Sequence, residues 1–530
     1  MKMTGKDPKV TVLISTYNRP DYLREAIGSV VRQRLEDWEL LVMNDGGVNV
    51  QGIVEGFRDE RIRYLDDKVN RGLAHRLNTG LRQARGDYVA YLGDDDLYYP
   101  NHLEVLSRVL DENSGIGAVY SDLYAVQFIK GERNGKRYPL NKYIQVARDY
   151  NRDFMFYFNH TLHVSLMHRR DLALRAGGYD ETITVLIDWN MTRKLSFYTD
   201  FKYVPVVTGE YYMPIFKSDR ISNLEREDNE KYKHNLRKIR ADLPPEPWPR
   251  VDRIAVILPV YELTDSFKAR LTDLLDHLPY PSRVVLVNND VRKGEGDCRK
   301  VLGKIGELKN ITICIPGNRL SLLEAYRFGA QRVDADYVFL PSDGVDTKYD
   351  MRLFTGRYSL QLLKTEGYEG IKWDIESERA GSFDLFMERE VFLRKTDRKS
   401  LDRKSAIKTI SNLCPASFQC DYVLYHAKKS YEQGDLTSAY QSIRTAEACK
   451  AGGAGDQYLI DLYAKICFDL KRFNEAEEKC KNLIARGYPA DNWIRMGKIC
   501  QETERYREAA EAYQRGLSEI GLKEEDLEDP

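Results

Sequence analysis

Two stretches of this chain repeat one another, and that repetition limits what the chain can fold into more than any other feature. Val10–Tyr17 (VTVLISTY) is echoed by Ile254–Tyr261 (IAVILPVY), and Glu39–Gly46 (ELLVMNDG) by Arg283–Asp290 (RVVLVNND). Tyr17 and Asp45 are 28 residues apart, as are Tyr261 and Asn289, while 25 residues separate both Asn70 from Asp95 and Asn318 from Asp343. Each echo sits in an apolar run with the length of a buried strand, followed by residues recurring at helical spacing, such as Leu23, Ala26, Ile27, Val30 and Val31. Strands are expected at Val10–Ser15, Leu40–Met43, Arg61–Leu65 and Tyr88–Leu92, with a helix face on Leu73, Leu77, Leu81 and Ala84 between the last two. Strands alternating with helices give a right-handed, mostly parallel α/β sheet, whose ligands bind at the carboxyl ends of the strands.

A third repeat is helical. Leu436, Phe473 and Tyr506 share one register, as do Ala439, Ala476 and Ala509, and Ala427, Ala464 and Gly497. A period in the thirties, with small residues where paired helices cross, resembles tetratricopeptide repeats, which commonly hold peptide; a purely structural cap is the alternative. The expected organisation is an α/β domain over residues 1–235, a second α/β domain over 250–405 and helical repeats over 415–530. The proline-rich Leu243-Pro-Pro-Glu-Pro-Trp-Pro249 lies in the first connection.

A chain of 530 residues exceeds one hydrophobic core, and with 81 basic and 82 acidic side chains it has no bias toward nucleic acid. No apolar run approaches the roughly 18 residues of a bilayer span, and Met1–Val10 lacks a signal-peptide core, so a cytoplasmic location is expected. All eight cysteines follow residue 297 without a CxxC pair, which reads as free thiols buried in helices rather than zinc ligands.

The chemistry concentrates in Gly93-Asp94-Asp95-Asp96, directly after a predicted strand. Adjacent carboxylates there repel unless a cation sits among them, and hard ions such as Mg²⁺ or Mn²⁺ bridge carboxylate to phosphate; a solvated turn is the bland alternative. Ile14-Ser-Thr-Tyr-Asn-Arg-Pro20, Val42-Met-Asn-Asp45, Asn70-Arg-Gly72, Tyr91-Leu-Gly-Asp-Asp-Asp96 and Gly177-Gly-Tyr-Asp-Glu181 follow in order. With that set, residues 8 to about 225 resemble the inverting family 2 glycosyltransferases of the GT-A (Rossmann-like) fold, including the spore-coat SpsA type.

The resemblance implies a nucleotide-sugar donor, UDP- or dTDP-linked. Ser15 and Tyr17 would contact the nucleotide, Asp45 would accept from the base, and Asp94 would hold the ribose. Asn70 and Arg71 would flank the donor, and Asp95 and Asp96 would bind Mn²⁺ or Mg²⁺. Inverting transfer needs a carboxylate base, and Asp188 of Leu186-Ile-Asp-Trp-Asn190 stands at the family's catalytic position, with Ile187 where an acid is usual. The alternative for Asp188 is a helix cap; Asp180 and Glu181 are the back-up bases. His160 and His163 read as structural, and Lys217 or Arg220 could close over the phosphates.

In the second copy, Asn289, Ser342 and Gly344 replace Asp45, Asp94 and Asp96; only Asp343 keeps an acid, although Asp346 is near. A fixed interval would put the counterpart of Asp188 at Leu436, inside the helical repeats, so the copy reads as degenerate. A sheet domain joined to helical repeats is similar to sublancin-type peptide S-glycosyltransferases and flagellin glycosyltransferases, which implies a protein or peptide acceptor held by the repeats. The alternatives are an enzyme of surface-polysaccharide synthesis and a non-catalytic scaffold; a homo-oligomer is left open.

Overall fold

The computed structural model describes residues 7–131, 136–215, 229–246, 248, 250–290, 292–341, 360, 370–374, 383–397, 407–409, 416–449 and 457–520. They fall into two compact units, one built from residues 1–155, 159–227 and 419–530, the other from 156–158 and 228–418.

The first unit holds strands β1 (Val10–Thr16), β2 (Trp38–Asp45), β3 (Ile62–Asp67), β4 (Tyr88–Gly93), β5 (Leu97–Tyr98), β6 (Ala118–Lys130), β7 (Arg137–Gln145), β8 (Leu166–Arg169) and β9 (Phe201–Pro214). Its helices are α1 (Pro20–Val31), α2 (Gln51–Glu55), α3 (Leu73–Gln83), α4 (His102–Glu112), α5 (Arg152–Tyr157), α6 (Arg170–Arg175) and α7 (Ile187–Ser196). The sheet runs β3-β2-β1-β4-β8-β6-β9-β5, and β7 pairs with β6 alone. β1 lies parallel to β2 and β4, and β2 to β3, as the alternating pattern predicts; β8 is antiparallel to β4 and β6, which gives the mixed sheet of the GT-A class. Parallel strands read as unbroken apolar runs because both faces are covered. Here Val12, Ile14 and Val42 pack with Leu23, Ile27 and Val30 of α1 in one core. On α3, Gly80 lets the helix lie close to the sheet, since a Cβ there would come within 2.9 Å of Leu13 and 2.8 Å of the Met43 sulfur.

The same unit carries three helix pairs: α13 (Ala416–Glu432) with α14 (Leu436–Cys449), α15 (Gln457–Asp469) with α16 (Phe473–Ala485), and α17 (Ala490–Glu502) with α18 (Tyr506–Ile520). The register residues Leu436, Phe473 and Tyr506 each begin the second helix of a pair. Two positions earlier, Gly434, Lys471 and Glu504 all adopt positive φ (81°, 59° and 61°), so the three turns share one geometry. Ala427, Ala439, Ala464 and Ala476 are fully buried, as close helix crossings require.

These helices pack on the sheet's own β6–β7 hairpin. Ile144 and Ala147 form one apolar cluster with Leu483 and Tyr488, flanked by Tyr124, Tyr458 and Ile460. The Tyr488 hydroxyl donates to Asp122 Oδ2 (2.8 Å), the Tyr458 N–H donates to the Ala147 carbonyl (3.4 Å), and Lys465 Nζ stands 4.6 Å from the Tyr143 ring centre. Asp421 accepts from Asn151 Nδ2 (3.0 Å) and pairs with Arg148 at 3.8 Å. Each of the three first helices thus has a residue on or beside it that faces the hairpin or the loop after it.

The second unit holds α8 (Asn229–Ala241), α9 (Asp265–Asp276), α10 (Glu295–Leu302), α11 (Leu322–Gln331) and α12 (Arg389–Asp397). Its strands are β10 (Ile254–Val260), β11 (Ser282–Asn288), β12 (Ile311–Cys314), β13 (Tyr337–Leu340), β14 (Gly370–Asp374), β15 (Phe383–Glu388) and β16 (Ile407–Thr409). Their order, β12-β11-β10-β13-β15-β14-β16, matches β3-β2-β1-β4-β8-β6-β9 position for position. Directions match too: β13–β15 and β14–β15 are antiparallel and β14–β16 parallel. Gly329 of α11 repeats the role of Gly80, with a Cβ there 2.7 Å from Ile257 and 2.9 Å from Val287.

The fixed-interval placement of an Asp188 counterpart at Leu436 therefore fails. Strand equivalence puts that stretch between β15 and β16, because the second copy is shortened between β14 and β15. Residues 398–406 of that stretch, with Ser342, Asp343, Gly344 and Asp346, lie outside the described residues. The cysteines also differ in part from expectation: the seven described are free and six are buried, but Cys314 ends a strand rather than lying in a helix.

Candidate functional site

The parallel pairing brings the ends of β1, β2 and β4 to one edge: Ser15 is in register with Met43 on one side and Gly93 on the other. Tyr17, just past β1, is 45% exposed, whereas Asp45 at the end of β2 is buried. Both oxygens of Asp45 are engaged by the following loop: Oδ1 accepts the Arg71 N–H (3.0 Å) and Oδ2 the Gly72 N–H (2.9 Å). Asn70 Oδ1 accepts the same Gly72 N–H at 3.1 Å. Gly46 permits this approach, with φ +74° and a Cβ position only 2.5 Å from the Val69 carbonyl carbon. Asp45 thus clamps the Asn70–Arg71 loop beside the exposed Tyr17. The second unit keeps the clamp with an amide: Asn289 Oδ1 accepts the Leu320 N–H at 3.2 Å, and Leu320 is the counterpart of Gly72.

The acidic loop follows β4, and Asp94, Asp95 and Asp96 are all buried. The three carboxylates have different partners. Arg19, at the start of α1, bridges two of them, pairing with Asp94 Oδ1 at 3.2 Å and with Asp95 Oδ2. Asp96 Oδ1 accepts the Tyr212 N–H of β9 at 2.9 Å. Among the described residues no three His, Cys, Asp or Glu side chains gather as a ready metal cage. Even so, the donor set suits a hard cation. A Cβ on Gly93 would collide with Asp96 Oδ2 and come within 3.1 Å of Asp95 Oδ1, so glycine leaves a cradle beneath one oxygen of each. The Arg19 guanidinium already supplies positive charge to Asp94 and Asp95.

Asp188 is the second residue of α7, which begins after Leu186 in the left-handed region (φ 61°). Its carboxyl sits in surroundings that strip it of water, although part of the residue's surface stays open to solvent. Desolvation raises its pKa above the ordinary aspartate value, against the lowering pull of the Trp189 and Asp188 N–H groups and of Asn159. Asn159 Nδ2 donates to Oδ2 at 2.9 Å. The preceding Gly177-Gly-Tyr-Asp-Glu181 loop is tied to the sheet. Tyr179 stands edge-on to Tyr91 of β4 (6.3 Å between ring centres), and its hydroxyl meets His163 Nε2 at 2.7 Å. Asn78 of α3 fastens the main chain by accepting the Tyr179 N–H (2.8 Å) and donating to its carbonyl (3.0 Å).

The back-up bases have other partners. Glu181 is paired with His75 (2.9 Å) and accepts from Asn78, bonds that lower its pKa, while Asp180 Oδ1 accepts from the N–H and hydroxyl of Thr182. His163, stacked on Tyr91 at 3.9 Å, is pushed by burial down to about 3 and stays neutral. His160 is buried among Tyr120, Tyr150 and Phe154. Ile187 is a core residue. Lys217 and Arg220 lie outside the described residues.

Sequence reasoning gave no role to Arg19, Asn78, Asn159 or Arg137. Arg19 stood in the Ile14–Pro20 motif, but nothing local linked it or Asn159 to a carboxylate. Arg137, whose Nη1 donates to the Asp95 carbonyl at 2.6 Å, carries no local signal at all.

Residues 11–170 match the family model "Glycosyl transferase family 2". Over 204 residues the chain is 29% identical to the uncharacterized glycosyltransferase YwdF of Bacillus subtilis, covering 38% of this chain and 74% of that protein. Protein CgeD of Bacillus subtilis is 30% identical over 184 residues, 32% of this chain and 41% of CgeD. A glycosyltransferase of Rickettsia bellii is 37% identical over 117 residues, 22% of this chain but 17% of its own length. Among solved structures, S. aureus TarS 1–349 with UDP-GlcNAc aligns over 56% of this chain and 71% of that one, at 16% identity and a TM-score of 0.35.

Proposed function

From the premise that residues 11–170 lie in a family 2 glycosyltransferase domain, we propose that the chain transfers a sugar from a UDP- or dTDP-sugar, with inversion and with help from Mn²⁺ or Mg²⁺. The observation that carries this reading is the sheet edge itself. An exposed Tyr17, the loop clamped by Asp45 and the buried acidic loop stand on adjoining strand ends, where ligands of such sheets bind.

In this reading the nucleoside lies on Tyr17 against the Asn70–Arg71 loop, with Ser15 below it. Asp94 takes the ribose, and Asp95 and Asp96 would hold the cation. Such an ion offsets the negative charge that grows on a departing diphosphate. Arg19, which pairs with Asp94 and Asp95, would have to yield those oxygens to such an ion. Asp188 accepts the proton of the acceptor hydroxyl as that oxygen bonds to the anomeric carbon and the bond to the diphosphate breaks. Its raised pKa makes it a stronger base than a solvated aspartate, and Asn159 sets its orientation.

The sequence reading assigns the helical repeats to a protein acceptor. A second reading, a glycan acceptor of surface-polysaccharide type, is favoured by one observation: the first helices of the pairs seat the sheet's own hairpin. On either reading the second unit serves without turnover of its own.

The test is nucleotide release from a panel of UDP- and dTDP-sugars, with mass spectrometry of candidate protein and glycan acceptors. Release is expected with Mn²⁺ or Mg²⁺, and its loss is expected in Asp95→Ala and in EDTA. Undiminished turnover in chelator would sink the metal role. Neither turnover nor binding with any donor would leave a scaffold.

A further inference from the structure

Arg137 opens strand β7 and its side chain is 5% exposed. One arm of its guanidinium donates to the main-chain carbonyl of Asp95 at 2.6 Å, and the other pairs with Glu25 of α1. Its Cζ lies 3.7 Å from the ring centre of Tyr212 and 4.4 Å from that of Tyr22. Tyr212 in turn donates its N–H to Asp96. Arg137 and Tyr212 therefore grip consecutive residues of the acidic loop from the protein side, and Arg137 reaches the loop's backbone rather than its carboxylates.

A guanidinium is a rigid fork, so bonds in two directions with rings against it leave one orientation. Its hydrogen bond to a carbonyl is charge-assisted and stronger than a neutral one. We propose that Arg137 is a positioning residue of the donor site: it fixes the backbone of the acidic loop, and so the places of the Asp95 and Asp96 carboxylates, without touching the donor. This rests on reading that loop as the donor and cation site. The strand that delivers Arg137 is held near its other end by the helical repeats, through Lys465 on Tyr143 and the Ile144 cluster. The acidic loop thus depends on a hairpin that the sheet core alone does not secure.

The experiment compares wild type, Arg137→Met and Arg137→Lys in the full chain by amide hydrogen exchange, then by Mn²⁺ and UDP binding. Met keeps an apolar stem against Tyr212 but donates nothing. Exchange at Asp95–Leu97 should quicken at least ten-fold, Tyr88–Leu92 should be unchanged, and Mn²⁺ affinity with UDP present should fall at least ten-fold. Lys should recover part of both, because one ammonium cannot serve the Asp95 carbonyl and Glu25 in the same geometry. Wild-type exchange in the loop of folded Arg137→Met would overturn the proposal. Should that variant not fold, Arg137→Lys decides alone: faster loop exchange supports the proposal and wild-type exchange overturns it. A wild type that binds neither UDP nor dTDP would sink the donor reading, while the exchange comparison would still judge Arg137.

Discussion

At the scale of single residues, Asp188 shows how burial and hydrogen bonding set a carboxylate's task. Desolvation raises its pKa, and the Trp189 and Asp188 N–H groups with Asn159 only partly counter it. A carboxyl whose folded pKa exceeds its unfolded one favours the fold at low pH, and that contribution is lost as pH rises through the unfolded and then the folded value. Near pH 7 the ionised group therefore destabilises the fold, and Asp188→Asn should unfold at an equal or higher temperature than wild type. Turnover should drop on the order of 10²- to 10⁴-fold for loss of a general base, with nucleotide affinity barely changed. The ascending limb of the wild-type pH–rate profile should lie above the ordinary aspartate range. Asp188 is the second residue of α7 and Leu186 stands at its cap, so the helix-cap reading of Asp188 does not hold; normal turnover in the folded variant would make Asp188 structural and move the base elsewhere.

At the scale of elements, the close packing of α3 on β1 and β2 is decided by one missing side chain. Gly80→Val would drive a branched side chain into Leu13 and Met43, both buried, and overpacking of this kind costs about 1–3 kcal/mol. Because α3 also carries Asn78, which ties down Tyr179, the shift should reach the Gly177–Glu181 loop. Denaturant unfolding and turnover together check this: a stability loss with unchanged kcat would separate the packing from the loop. Gly329→Val should destabilise the second unit by a similar amount through Ile257 and Val287, and leave donor binding unaltered.

At the scale of the whole molecule, the helices of residues 416–520 are joined to the first sheet by apolar packing and by buried polar bonds. Asp122 is fully buried and accepts from Ala147 N–H, from Tyr203 and from Tyr488. Tyr488→Phe removes one of these bonds and should cost about 1.5–3 kcal/mol, the range for a hydrogen bond to a charged group. Deleting residues 416–530 exposes the Ile144–Ala147 face, so protection of the β6–β7 hairpin should fall and donor binding should weaken with it. Unchanged hairpin exchange and donor affinity in the truncated chain would instead make the helices a separable docking element.

The sequence by itself determined the local pieces. Apolar runs gave β1, β2 and β4, the matched intervals announced a second sheet that keeps the strand order of the first, and small residues in register marked the helix pairs. These features are legible because a strand's burial, a helix's period and a crossing's tightness each act through neighbouring residues. What only the tertiary structure decided is which distant groups meet. Arg19 on the acidic carboxylates, Arg137 on the Asp95 carbonyl, Asn159 on Asp188 and Tyr488 on Asp122 join residues 29 to 366 positions apart. Strand order and loop length set such meetings, and no periodicity records them. For the same reason a fixed interval carried Asp188 to Leu436, where equivalent strands place its counterpart before β16.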